Sequence, residues 1–347
     1  MRIPTQRQWP VSDRVSWVVG RGGLLGRGVE AVLARRGPVW HPSEEFKWDD
    51  PSTLAAQMAR ACRSFSDVVG EGAWQIAWCA GAAVVRTGPS ELHAEMKALG
   101  QLLDGLRVLG ECRPDGSLFV SSSAGGVYAG SSGAPYSESS PVRPISPYGQ
   151  TKLEQEELAR QWSKETHIPV LIGRISNLYG PGQNLSKGQG LVTQLCAKVL
   201  TRQPVILYMP LDTIRDYVYV TDAAALVADG LRRLRAVAGG VAGTSRKMET
   251  PVVVKILASH QPSTIGMVLH QVRRVTRRPV HVVVARSPQA AYQVPDLRMA
   301  SEVWPELDQR PLTSLGEGIH RVISDLLSRT NLAGRGSFRP GGGLEGA

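Results

Sequence analysis

Residues 14–36 read RVSWVVGRGGLLGRGVEAVLARR, and this stretch decides the fold class. A short β-rich run, Arg14 to Val19, ends directly in a G-x-x-G-x-x-G turn of Gly20, Gly23 and Gly26. An Ala/Val/Leu segment from Val29 to Arg36 then follows with helical spacing and stops at Gly37-Pro38. In such a strand–turn–helix unit the missing β-carbons let the backbone approach a pyrophosphate. The helix N-terminus that follows supplies unpaired N–H groups and positive dipole, and Leu24 and Leu25 within the turn are expected to stand beside the cofactor. The expected ligand of the turn is a dinucleotide.

The alternation continues outward from that unit. The pattern predicts a helix from Pro51 to Phe65, a buried strand from Trp74 to Ala80 and a helix from Glu91 to Leu109. A strand from Ser117 to Ser121, a helix from Tyr148 to Glu165 and a strand from Pro169 to Arg174 follow. Strands alternating with helices imply parallel β-α-β units, so the expected class is α/β with a doubly wound parallel sheet. After Asn177 the regularity fails: a Gly/Pro/Asn/Ser-rich stretch from Tyr179 to Gly190, a helix Leu191 to Thr201, a strand-like Tyr217 to Val220 and a last helix Leu315 to Leu327. The organisation read from this is an irregular lead over 1–13, a dinucleotide-binding domain over 14–178 and a smaller mixed α/β substrate domain over 179–330. The segment 212–230 is expected to return to the first domain, and the glycine-rich end, 331–347, to be a disordered tail.

The 347 residues are 42% apolar and 20% charged, which suits a globular chain with a sizeable core and excludes wholesale disorder and fibrous repeats. No window approaches a membrane span, and Met1 to Arg14 lacks the apolar core of a signal peptide. Cys62, Cys79, Cys112 and Cys196 stand far apart without metal spacing, so free thiols, no metal and a cytoplasmic location are expected. Lys and Arg exceed Asp and Glu by 40 to 30, a formal +10, but the excess is spread along the chain. Its densest clusters, at Arg232-Arg233-Leu234-Arg235 and at Arg273-Arg274 with Arg277-Arg278, read as solvated helix faces. An anionic small molecule suits this charge, nucleic acid is not the expected partner, and a homodimer stays open.

Tyr148 and Lys152 stand i, i+4 at the start of an amphipathic helix and so share a face. An ammonium beside a phenol stabilises the phenolate, making Tyr148 usable as a general acid/base, and Lys152 can also donate to ribose hydroxyls. Ser121-Ser122-Ser123 lies at the carboxyl end of an expected sheet strand, where open α/β sheets place their ligands. The acid that should hold the adenosine ribose is less defined. Glu44 falls 18 residues after Gly26, but Pro42 interrupts the second strand at Val39-Trp40-His41. Should the chain leave the sheet there, His41 or Ser43 faces the ribose, with Arg21, Arg35 or Arg36 near enough to neutralise a 2′-phosphate. NAD or NADP is the expected cofactor, with the preference open.

Taken together the motifs resemble the NAD-dependent epimerase/dehydratase family of the extended short-chain dehydrogenase/reductase superfamily. They are GRGGLLG at 20–26, SSSAGGVY at 121–128, SPYGQTKLEQE at 146–156, GRISNLYGPGQN at 173–184, IRDYVYVTDAA at 214–224 and PLTSLGEGI at 311–319. The resemblance implies a Rossmann-like fold and a nucleotide-sugar substrate, with Ser123 as the catalytic hydroxyl, Tyr148 as acid/base and Lys152 as its activator. It implies that Cys79, Ala80 and Gly81 stand beside the cofactor, that Asn177 and Arg215 contact the diphosphate of the sugar nucleotide, and that Asp49 or Asp50 lies near the adenine. Arg215 could instead pair Asp216 or Asp222, and Asn177 could cap a turn. Two departures stand out. Glu95 occupies the place where the family commonly has Asn in the helix behind the nicotinamide, and Ser123-Ala124-Gly125 offers no acid of the kind that sugar 4,6-dehydratases carry beside the hydroxyl. The expected activity is nucleotide-sugar epimerisation by transient oxidation and re-reduction. A ketoreductase on a nucleotide-linked keto-sugar is the first alternative, and a non-catalytic nucleic-acid-binding relative the second.

Overall fold

The computed structural model describes residues 14–81, 83, 87–112, 115–185, 190–238, 250–285 and 294–335. In chain order β1 (Val15–Val19), α1 (Leu24–Leu33), β2 (Val39–Trp40), α2 (Pro51–Val69), β3 (Trp74–Trp78), α3 (Pro89–Cys112), β4 (Leu118–Ser123), α4 (Ala124–Tyr128), α5 (Pro147–Thr166) and β5 (Val170–Ile175) form the first half. They are followed by β6 (Asn177–Tyr179), α6 (Leu191–Leu200), β7 (Val205–Leu207), β8 (Ile214–Arg215), β9 (Tyr217–Tyr219), α7 (Val220–Ala238) and β10 (Val252–Leu257). The last elements are β11 (Ser263–Thr264), α8 (Ile265–Thr276), β12 (Val282–Val284), β13 (Asp296–Leu297) and α9 (Leu315–Arg335).

Six strands pair in the order β10-β5-β4-β3-β1-β2, every pairing parallel. The expected doubly wound sheet is present. Because β2 lies on one side of β1 and β3 on the other, the strand order reverses at β1/β3, the place where such sheets open a ligand crevice. Both faces are covered, which is why these strands read as continuous apolar runs. Trp17, Trp74, Ile76, Leu118 and Val170 pack with α2, α3 and α5, whereas Val18, Ala77, Phe119 and Leu171 on the alternate face meet α1 and α7.

Several boundaries differ from the sequence expectation for physical reasons. α1 begins at Leu24, on the glycine turn itself, because Gly26 and Gly28 are helical residues required by close packing rather than helix breakers. A Cβ on Gly28 would lie 3.0 Å from the Val220 side chain of α7. β10, absent from the predicted strands, completes the sheet edge opposite β2, with Lys255 fully buried inside it. The Lys255 ammonium donates to Asp308 Oδ2 at 2.7 Å, Ser301 Oγ at 2.9 Å and the Val303 carbonyl at 2.7 Å, so the buried charge is paired. A further core gathers α6, α8 and α9 with β7, β9 and β12. Residues 331–335 continue α9 rather than opening a disordered tail; 336–347 and the lead 1–13 lie outside the described residues.

Candidate active site

The glycine turn connects the end of β1 to α1. Gly20 has φ +87°, and a Cβ there would sit 2.5 Å from the Ala80 amide nitrogen, so the turn and the Cys79-Ala80-Gly81 segment after β3 press together. A Cβ on Gly26 would collide with the Gly20 carbonyl, which draws α1 against the turn. Outward the geometry is the reverse. Nothing lies within 4 Å of a Cβ built on Gly22, and one on Gly23 meets only the Gly20 carbonyl oxygen at 3.3 Å. Gly23 is the N-cap of α1 and no side chain caps it, so the first-turn N–H groups of Leu24 and Leu25 have no side-chain acceptor. An open cradle of backbone donors at a helix start fits a pyrophosphate.

Of the acids expected near the adenosine, Glu44 and Asp50 have partners on α2. The Glu44 carboxylate accepts from Gln57 Nε2 at 3.0 Å and from Arg60 Nη2 at 2.6 Å, both on α2. The hydrogen bond from Gln57 and the pairing with Arg60 hold its carboxyl below the usual range. Asp50 caps α2 through the Ser52 and Thr53 amides, and Asp49 is exposed just before it. Beside the turn Arg21 pairs Glu30 at 2.9 Å, with His41 Nε2 at 3.5 Å from the same carboxylate.

Ser123 ends β4, level with Ile175 of β5, and is the N-cap of α4; its Oγ accepts from the Gly126 amide at 3.1 Å. A hydroxyl used as an acceptor in this way still has its proton to donate. α5 begins with Ser146 as N-cap and Pro147 in its first turn, which places Tyr148 one residue into the helix. Gly149 lets this first turn touch α4, since a Cβ there would collide with the Gly126 carbonyl. A Cβ on Gly126 would in turn be 3.2 Å from Tyr148 Cε1 and 3.3 Å from Ser123 Oγ, so the phenol ring and the hydroxyl flank the same glycine. Lys152, one turn on, has Nζ 5.7 Å from the Tyr148 ring centroid. The structure brings the three predicted residues together.

Sequence reasoning missed how they are held. Lys152 Nζ donates to Glu95 Oε1 of α3 at 2.6 Å and to Gln155 Oε1 at 2.9 Å, and the side chains of the ion pair are only 7% and 8% exposed. Burial pushes the ammonium down, but the Glu95 carboxylate and the Tyr148 phenol outweigh it and hold Lys152 above its ordinary value. One further turn along, Glu156 forms a two-pronged buried pair with Arg174 of β5, at 2.9 and 2.7 Å. Ser122 Oγ donates to Glu156 at 2.6 Å, and Arg174 Nη1 donates to the Tyr128 hydroxyl at 2.7 Å. This network ties β4, α4, α5 and β5 together directly behind Ser123. The Lys152–Glu95 pair and the contacts of Glu156 with Ser122 and Arg174 gave no local signal, because these partners are distant in sequence.

Asn177 is exposed just beyond β5, and its Nδ2 donates to the Asp216 carbonyl at 3.0 Å. Arg215, on β8, is 6% exposed and donates to the Ile214 carbonyl at 2.8 Å. Burial pushes its guanidinium down, opposed by Tyr217 and Asp296. Asp216 is engaged by Ser176 and Ser259, and Asp222 by Thr313. Among the described residues no His/Cys/Asp/Glu group could hold a metal ion, and no helix is long and apolar enough to cross a membrane.

Over 120 residues the chain is 36% identical to dTDP-L-rhamnose 4-epimerase of Burkholderia thailandensis, covering 34% of this chain and 33% of that one. It is 26% identical over 212 residues to dTDP-4-dehydro-6-deoxyglucose reductase of Escherichia coli, covering 60% of each. These alignments span about a third to three fifths of the relatives' length. The fold matches UDP-glucose 4-epimerase of Thermotoga maritima, solved with UDP-glucose, at TM-score 0.71 and 20% identity over 91% of this chain and 99% of that one. The sequence profile of the NAD dependent epimerase/dehydratase family matches residues 17–241, and the chain belongs to that family.

Proposed function

We propose that this protein is an NAD(P)-dependent nucleotide-sugar epimerase that oxidises and re-reduces a single sugar carbinol carbon. The observation that carries the reading is the meeting of Ser123 and Tyr148 about Gly126, with Lys152 one turn on, beside an open glycine cradle. Gly20, Gly23 and Gly26 with the Leu24 and Leu25 amides would hold the pyrophosphate, and Lys152 a ribose hydroxyl. Bound there, the dinucleotide supplies reversible hydride acceptance, whose return to the opposite face of the ketone inverts the carbon.

The chain's own groups do the rest. Tyr148, as phenolate, takes the proton of the sugar hydroxyl and later gives it back, with the Lys152 ammonium 5.7 Å from its ring centroid. Ser123 donates its proton to the same sugar oxygen while the Gly126 amide fixes its lone pair, so the carbonyl that develops is met by a donor already in place. Ala124 and Gly125 place no acid beside that hydroxyl, which disfavours elimination of water. Arg215 would grip the diphosphate with its planar fork. In this reading 14–178 with 212–230 forms the dinucleotide side, and most of 179–330 the sugar-nucleotide side.

The similarity to the Escherichia coli reductase favours one second reading, net reduction of a nucleotide-linked keto-sugar. A panel of UDP-, dTDP- and GDP-sugars, incubated with and without added NADPH and NADH, tests both. An epimer formed without consumption of reduced cofactor supports the proposal. Turnover that consumes reduced cofactor one for one supports the reductase, and RNA binding without dinucleotide binding overturns both.

A further inference from the structure

We propose that Glu95 is a positioning residue that pins Lys152 and damps the field Lys152 exerts on Tyr148; the inference rests on the assignment of Tyr148 as the base. The contacts define what Glu95 does. Its Oε1 accepts from Lys152 at 2.6 Å and from Gln155 Nε2 at 3.2 Å, while its Oε2 accepts from the Ala83 amide at 3.2 Å. A Cβ on Gly81 would lie 3.0 Å from the same carboxylate. Glu95 therefore fastens three things to one another: the lysine of α5, the glutamine one turn after it, and the segment that follows β3.

Two consequences follow from elementary chemistry. An ammonium has three N–H groups. Glu95 and Gln155 take two of them, which leaves one for a ribose hydroxyl or the phenol. The ammonium is thus aimed rather than free to rotate among partners. Secondly, a carboxylate against the ammonium cancels part of the positive potential that the ammonium exerts at Tyr148, which a neutral side chain at position 95 would not do. Charge reaches Lys152 from Glu95 on α3 and from Tyr148 on its own helix; α4 and the residues 78–81 after β3 carry no charged side chain. Among the described residues, Gln155, Ser123 and Gly126 are neutral neighbours of the cluster.

The test is a pH titration of tyrosinate absorbance on the full chain, with and without saturating NAD. The Tyr148 component is isolated as the difference between each protein and the same protein carrying Tyr148→Phe. Glu95→Gln should move its midpoint down by about one pH unit, the size expected for removing one charge several ångströms away. Glu95→Asp should leave the midpoint near that of the parent. Glu95→Asn, a shorter neutral side chain, serves should the glutamine variant fail to fold. An unmoved or raised midpoint in a folded neutral variant overturns the proposal, because a merely structural glutamate would lower the melting temperature and leave the phenol alone. The base assignment fails separately: turnover of a nucleotide sugar that survives Tyr148→Phe would refute it whatever the titration shows.

Discussion

Replacing Gly23 by valine separates ligand binding from folding at the glycine cradle. Gly23 has φ −77° and ψ 168°, a conformation open to any residue, and its added Cβ meets only the Gly20 carbonyl oxygen at 3.3 Å. The backbone can accept the change. The branched side chain instead fills the open ground above the α1 N-terminus and holds a pyrophosphate away from the Leu24 and Leu25 amides. Losing two charge-assisted hydrogen bonds costs about 3 to 6 kcal/mol, or roughly 10²- to 10⁴-fold in Kd. Gly26→Ala is the contrasting variant, since its Cβ collides with the Gly20 carbonyl and should destabilise the fold itself. Calorimetric titration with NAD and NADP, paired with thermal melts, reads both effects. Unchanged dinucleotide affinity in a folded Gly23→Val protein would refute the cradle.

Tyr148→Phe keeps the ring that packs against Gly126 and removes the proton carrier, so turnover should fall by at least about 10²-fold while calorimetry still shows dinucleotide binding. Arg215→Ala should raise KM for a nucleotide sugar by roughly 10- to 150-fold with little effect on kcat, and Arg215→Lys should recover only part. Unaltered affinity for UDP and dTDP in the alanine variant would remove the diphosphate role. Burial pushes the Glu95 carboxyl up, but its pairing with Lys152 outweighs this and holds it below its ordinary value of 4.5. A depressed carboxyl contributes stability above its unfolded pKa and loses it as pH falls through the folded one. Melting temperature should therefore drop below about pH 4.5, and Glu95→Gln should flatten that part of the drop, as melts across pH 3 to 6 would show.

The sheet and the triad were legible because their signals are local. A strand ending in three spaced glycines, a Tyr and Lys one helical turn apart and serines closing a strand each sit within a few residues of one another. What was not legible depends on partners far along the chain. β10 carries Lys255 in mid-strand, which reads as exposed until Ser301, Val303 and Asp308 arrive to satisfy it. Glu44 has the spacing of a ribose-binding acid, and only the fold shows Gln57 and Arg60 of α2 taking its oxygens. Glu95 looked like an altered packing residue; the 57 residues separating it from Lys152 hid an ion pair.

The central claim is that the sugar carbon is inverted by hydride leaving and returning, with Tyr148 moving only the hydroxyl proton. The direct measurement is the reaction run in deuterium oxide on whichever nucleotide sugar of the panel turns over, with the product examined by proton NMR. A hydride held on the cofactor never exchanges with solvent, so the account predicts an epimer with no deuterium at the inverted carbon. Deuterium incorporated at that carbon would show that it is lost and regained as a proton, and would contradict the account.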